Sequence, residues 1–228
     1  MPKLQVRSVP GEPKNHQLSQ AHTILKYTHE TGKSLLEVFD EKCAKRGQGA
    51  PTTEEQDLLR SMLVMTGSGL DATLKQIARD ALREIQAKST KAQEEFSKFV
   101  VREFERREGG ISIKNIAEYL VAESPRQRLL SQWVEELTSK SLQSLKQIES
   151  MSACLGIEKP LEFIRKKEAE LNRAFDVRNQ IAHEMDIDFT HKVRNRRSRK
   201  REDMVEQVNL LLDLCGHLLK EIDGLLSK

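Results

Sequence analysis

Apolar residues return every three or four positions along most of the chain, the interval that lines one face of an α-helix. Phe96, Phe99, Val100 and Phe104 do so within 91–107, and similar stripes run from Leu161 to about His183 and from Met204 to Leu226. Thr53 with Gln56 has the pattern of a capping box, so a helix is expected to open there. It should pass through LLRSMLVM and reach about residue 87, with a kink at Gly67-Ser68-Gly69. Pro125 predicts the start of a helix that holds Trp133 and Leu137 and extends to Leu142, Leu145 and Ile148. Ser112 predicts a short helix across Ile116 and Leu120, and Gly156 with Pro160 a turn.

Upstream, 16–30 and 34–46 read as two short helices divided by Thr31-Gly32, and GQGAP at 47–51 is a break. Pro2, Pro10, Gly11 and Pro13 keep the start extended. The expected organisation is an extended tail over 1–13, an N-terminal helical hairpin over 14–50, and a helical domain over 54–228 that carries a basic loop at 186–201. No internal repeat at a solenoid period is visible. The fold class expected is all-α.

Composition agrees with that pattern. Only 11 Gly and 6 Pro interrupt a chain of 228 residues rich in Leu, Glu, Lys, Gln and Ala, the strong helix formers. With 37% hydrophobic residues the chain can bury a core despite a mean hydropathy of -0.59. No run is apolar enough to span a membrane, and the N-terminus lacks the apolar stretch of a secretion signal. Cys43, Cys154 and Cys215 have no zinc-ligand spacing, so no structural metal and no disulfide framework is expected, and a reducing cytoplasmic setting is the default.

Two charges fall where the pattern wants apolar side chains. On a helical wheel centred on Arg178, Leu171, Ala174, Phe175, Ile181, Ala182 and Met185 lie within about 60°. A guanidinium does not lose its charge, so one aimed into a core needs an anion or several acceptors. Asp71 is placed in the same way among Val64, Gly67, Leu74, Ala78, Leu82 and Ile85. Buried charges occur in pairs more often than alone, and Asp71 is therefore expected to approach Arg178. His183 shares a helix edge with Asn179, near a helix end where the macrodipole favours positive charge.

Arg178-Asn179-Gln180-Ile181-Ala182-His183 resembles the Arg-polar-x3-His form of the signature of the HEPN superfamily, compact helical domains that include many RNases. The bare spacing is common by chance; the polar residue after the Arg and the position near the end of the penultimate long helix make it more specific. The order LLRSMLVMTGSGLDATLK, IAEYLVAESP, SQWVEEL, RNQIAHE and a final amphipathic helix is similar to the RiboL-PSP group of that superfamily, over about residues 54 to 226. The group commonly places a carboxylate on the first core helix, more often Glu, and Asp71 stands at the matching place.

The resemblance implies a HEPN-like helical bundle and a metal-independent endoribonuclease without a cofactor. It further implies a homodimer with two Arg/His motifs facing across a cleft, RNA as the partner, and service as a toxin or effector in defence or stress systems. An inhibitor or sensor protein is a further expected partner. RNA supplies its own nucleophile, the 2′-hydroxyl, and His183 is the candidate to take its proton or to protonate the leaving 5′-oxygen. A fixed guanidinium from Arg178 stabilises the charge that grows on the non-bridging oxygens, and Asn179 orients His183 or binds phosphate. The products would carry 2′,3′-cyclic phosphate and 5′-hydroxyl ends.

Lys192, Arg194, Arg196, Arg197, Arg199, Lys200 and Arg201 follow the motif within ten residues. Their repulsion predicts an extended segment that tracks an RNA backbone; a solvated loop or a localisation signal is the plainer reading. Gly32-Lys33-Ser34 is not a phosphate-binding loop, because Tyr27 stands where the first glycine is required. His22 and His29 read as surface histidines, and His217 as packed in the last helix. Two rivals to the enzyme remain: a noncatalytic HEPN module that binds RNA or protein, and a helical dimerisation scaffold.

Overall fold

The computed structural model describes residues 4–105, 124–158, 161–190 and 192–228. Among these residues the architecture is all-α: after a 3-10 turn at His16–Leu18 come α1 (Ser19–Arg46), α2 (Thr53–Lys88), α3 (Thr90–Glu105), α4 (Pro125–Ser139), α5 (Leu145–Cys154), α6 (Glu162–Glu184) and α7 (Arg201–Leu226). The short helix expected from Ser112 across Ile116 and Leu120 lies outside the described residues.

The hairpin expected over 14–50 is instead one 28-residue helix, α1, that packs along α2. Gly32 does not end a helix; it is buried where α1 meets α2 and α7, with a notional Cβ at ordinary contact distance from Thr66, Met62 and Val208. The glycine costs about 1 kcal/mol of helix propensity, and the close approach of three helices offsets it. The helix ends at Gly47, whose φ of 81° a side chain rarely adopts.

The capping box of α2 stands one residue earlier than expected, on Thr52 and Glu55. Gln56 is thereby free for another use: its amide clamps the backbone of Arg199, donating to the carbonyl at 2.9 Å and accepting from the N–H at 2.7 Å. No break interrupts α2 at Gly67-Ser68-Gly69. Both glycines serve contacts: a Cβ on Gly69 would sit 2.0 Å from Thr28 Oγ1 of α1, and one on Gly67 would press at 3.3 Å on Cγ and Nε of Arg178.

The helix expected to run from Pro125 to Ile148 is two helices. It stops at Ser139, Lys140 is extended, and Ser144 caps α5 by accepting from the N–H of Gln147. Serine hydroxyls compete for backbone groups, which favours caps over helix interior and explains the break. Leu142 is buried in the connection rather than on a helix face. Phe96, Phe99 and Trp133 cluster between α3 and α4, with the two phenylalanine rings 5.4 and 6.2 Å from the indole.

The helix α7 lies against α2, α6 and α1 and buries Val208, Leu211, Leu214, Leu218 and Ile222 completely. Each such side chain contributes roughly 1.5–3 kcal/mol on burial. Its remaining side is covered by the tail, which runs parallel to it. Arg201 donates to the carbonyl of Leu4, Asn209 exchanges bonds with the backbone of Gln5 and Arg7, Pro10 lies over Gly216, and the N–H groups of Lys14 and Asn15 reach Asp223. His22, expected at the surface, is buried and bonded to the carbonyl of Pro10 at 2.9 Å.

Candidate functional site

The helix α6 supplies the motif. Leu171, Ala174, Phe175 and Ile181 are buried, as the periodicity predicts, Val177 is buried beside them, and Arg178 is buried with them at 5% exposure. The stripe ends sooner than expected, since Ala182 and Met185 face solvent. His183 lies exposed in the last turn. His217, expected to be packed, is exposed and stacks on Phe163 with ring centres 4.6 Å apart.

Asp71 does not pair with Arg178. Among the described residues its carboxylate accepts from Lys75 at 2.8 Å and from the N–H of Leu142 at 2.7 Å. The Arg178 guanidinium instead donates through Nη1 to Gln143 Oε1 at 2.5 Å and to Asn179 Oδ1 at 3.2 Å, while its buried Nε–H has no acceptor among the described residues. Asn179 in turn donates through Nδ2 to the carbonyl of Gln143 at 3.4 Å. Burial pushes the guanidinium below its ordinary pKa, and the nearby charge of Asp71 opposes that only in part. Both of its acceptors among the described residues are neutral, so there a cation is held in a desolvated place without contact to an anion.

A second charged centre, which the sequence reading missed, fixes the chain just beyond His183. Asp186 is fully buried between Arg60 of α2, 2.8 Å away, and Arg199, which bonds both carboxylate oxygens and also reaches Gln180 of the motif. Met185 and Asp186 both take positive φ, 52° and 61°, turning the chain back sharply. Burial alone would raise the Asp186 carboxyl, but hydrogen bonds from Arg199 and Arg60 outweigh it and hold the group below the ordinary value. The helical wheel that singles out Arg178 does not single out Arg60, because Thr53, Gln56 and Asp57 share its face with Leu63 and Val64.

The basic run is non-helical up to Lys200, but it is not a self-repelling segment. Arg199 is committed to Asp186; Arg197 donates to the carbonyl of Ile187 at 2.7 Å; Arg196 pairs with Asp57 at 2.7 Å. Arg201 is buried at the start of α7, where Nε and Nη2 of its guanidinium bind the two carboxylate oxygens of Asp40. Internal carboxylates and carbonyls take up the charge that was expected to repel. Lys192, Arg194 and Lys200 are exposed, with Arg194 also lying over the Phe189 ring at 5.7 Å.

Among the described residues no group of three or more His, Cys, Asp or Glu is placed to hold a metal ion, and no helix is long and apolar enough to cross a membrane. Comparison with curated proteins and with solved structures gives no match. The RiboL-PSP-HEPN family matches residues 32–226, beginning within α1 rather than at residue 54 and ending at the last residue of α7. That span takes in α2, the whole of α6 with its Arg178 and His183, and the Asp186 centre behind them, and the chain belongs to the RiboL-PSP-HEPN family.

Proposed function

We propose that the protein is a metal-independent endoribonuclease whose reaction centres on the end of α6. The observation that carries this reading is the pairing, within one helical stretch, of a buried guanidinium held by neutral acceptors with an exposed imidazole five positions later. A desolvated cation without a carboxylate against it favours an incoming phosphate more than a solvated or neutralised one would. His183 takes the proton of the RNA 2′-hydroxyl as that oxygen attacks the adjacent phosphorus. The bond from phosphorus to the 5′-oxygen breaks, and the leaving oxygen receives a proton from an imidazolium, supplied by a second copy of the motif in a homodimer. Arg178 stabilises the equatorial oxygens of the pentacoordinate phosphorus, and Asn179 holds the guanidinium in line. Asp71 acts at one remove, by anchoring the backbone of Leu142 beside the site. Lys192, Arg194 and Lys200 offer contacts to the flanking phosphates.

A cytoplasmic toxin or effector of a defence or stress system, restrained by an inhibitor or sensor protein, is the setting this activity fits; family analogy supports it. The test incubates the full chain with RNA in EDTA and assays the ends. Cyclic-phosphate termini are expected from the native protein and are expected to be lost in His183→Ala, which alters an exposed side chain and leaves the fold intact. Cleavage that EDTA abolishes, or that survives His183→Ala undiminished, would overturn the proposal. Binding without cleavage in the native chain would identify a noncatalytic module instead.

A further inference from the structure

The connection between α4 and α5 is fastened to the site at three points. The N–H of Leu142 binds Asp71, the carbonyl of Gln143 receives Asn179, and the side chain of Gln143 meets Arg178. Its backbone is fixed independently: Leu142 is buried in the core, and Ser144 caps α5 while Gln147 Oε1 accepts from the Gln143 N–H at 3.0 Å and from Ser144 Oγ at 3.0 Å. Only the half-buried side chain of Gln143 is left to move. Its Oε1 takes up Nη1 of Arg178, one of the donors a phosphate oxygen would need.

We propose that Gln143 is an internal competitor for the anion position on Arg178, an amide oxygen that substrate phosphate must displace. The buried Nε–H, packed against Gly67, has no acceptor among the described residues, so the cation is under-satisfied beside its amide partners. An anion that replaced the amide could engage more than one donor of the fork, which a single amide oxygen does not. A charge-assisted bond to phosphate is stronger than one to a neutral amide, so displacement is favourable for a phosphate and unfavourable for a neutral ligand. Asn179 stays bonded to the Gln143 carbonyl throughout, so the exchange needs a rotation of one side chain and no movement of a helix. Gln143 thereby sets a threshold on which ligands gain the site.

The inference rests on Arg178 as the phosphate-holding group of the proposed reaction, and its test is a binding measurement that needs no turnover. The probes are inorganic phosphate, followed through the Arg Nε–H resonances, and a 2′-O-methyl RNA oligonucleotide that cannot be cleaved. In the full chain, Gln143→Ala is expected to bind both about tenfold tighter than the native protein, a change worth about 1.4 kcal/mol. Gln143→Glu, which places a fixed anion on Arg178, is expected to bind both more weakly than the native protein. Thermal unfolding of each variant checks that the connection remains folded. Unchanged or weaker binding by Gln143→Ala, or no binding of phosphate by that variant at all, would overturn the inference. If Gln143→Ala tightens binding while the native chain cleaves no RNA, the competitor stands and the endoribonuclease does not; weaker binding with intact cleavage gives the reverse.

Discussion

Two buried arginines are treated differently by this chain. Arg60 has a buried carboxylate within 2.8 Å; Arg178 has two neutral amides. The first arrangement builds structure and the second keeps a cation available. Removing Asp186 would take from Arg60 and Arg199 the buried carboxylate they share, and Asp186→Ala is expected to lower stability by about 3 kcal/mol in urea unfolding. The pH dependence follows from the depressed carboxyl. Because its folded value lies below its unfolded one, the stabilisation is complete above about pH 4 and is lost as pH falls further through the folded value. Acid unfolding of the native chain should therefore show a component in that range that the Asp186→Ala variant lacks. The sequence disclosed Arg178 because every neighbour on its wheel was apolar. It did not disclose its partners, because Gln143 comes from a connection whose path no periodicity records. Asp71 lies near enough for its charge to act on Arg178 but does not bond it: two charges centred on apolar faces suggest a pair, yet a lysine one turn away and a loop N–H take up the carboxylate.

At the scale of elements, helix existence was legible and helix interruption was not. Glycine has two uses with the same spelling. At Gly47 it ends a helix through positive φ, and at Gly32, Gly67 and Gly69 it admits a neighbour, which only the packed structure distinguishes. The serines at 139–144 did break a helix, where apolar spacing alone carried on to Ile148. The basic loop shows the same limit for charge. Seven cations in ten residues look like a binding surface, yet four of them hold the loop to Asp186, Asp57, Asp40 and backbone carbonyls. If Lys192, Arg194 and Lys200 make the loop's phosphate contacts, replacing all three with Gln should flatten the slope of log K against log salt for single-stranded RNA by about 2. If the other four cations also reached phosphate, a slope of about 3 would remain in that variant. Fluorescence anisotropy at several salt concentrations reads the difference.

Across the whole molecule the family match and the packing disagree about where the unit begins. The match starts within α1, but α1 is a single helix, and the residues before it are bound along α7. The tail contacts span eleven residues of extended chain against twenty-two of helix, about 33 Å by either rise. That agreement of lengths is what lets every few residues find a partner on α7. Deleting residues 1–13 is expected to lower Tm, by about 2–4 °C for each kcal/mol lost, and to expose α7 to limited proteolysis. An unchanged Tm would make the tail an ornament. The all-α class followed from sequence because helix propensity and 3.6-residue spacing are local; the tail's course did not, because its partners lie some two hundred positions away.

That separation also has a consequence in time. A ribosome working at about 5–20 residues per second needs roughly 10–40 s to pass from Asn15 to Asp223. For that interval the tail has no α7 to lie against, while α1 and α2 can already pair. The tail can dock only once α7, the helix it covers, has been made.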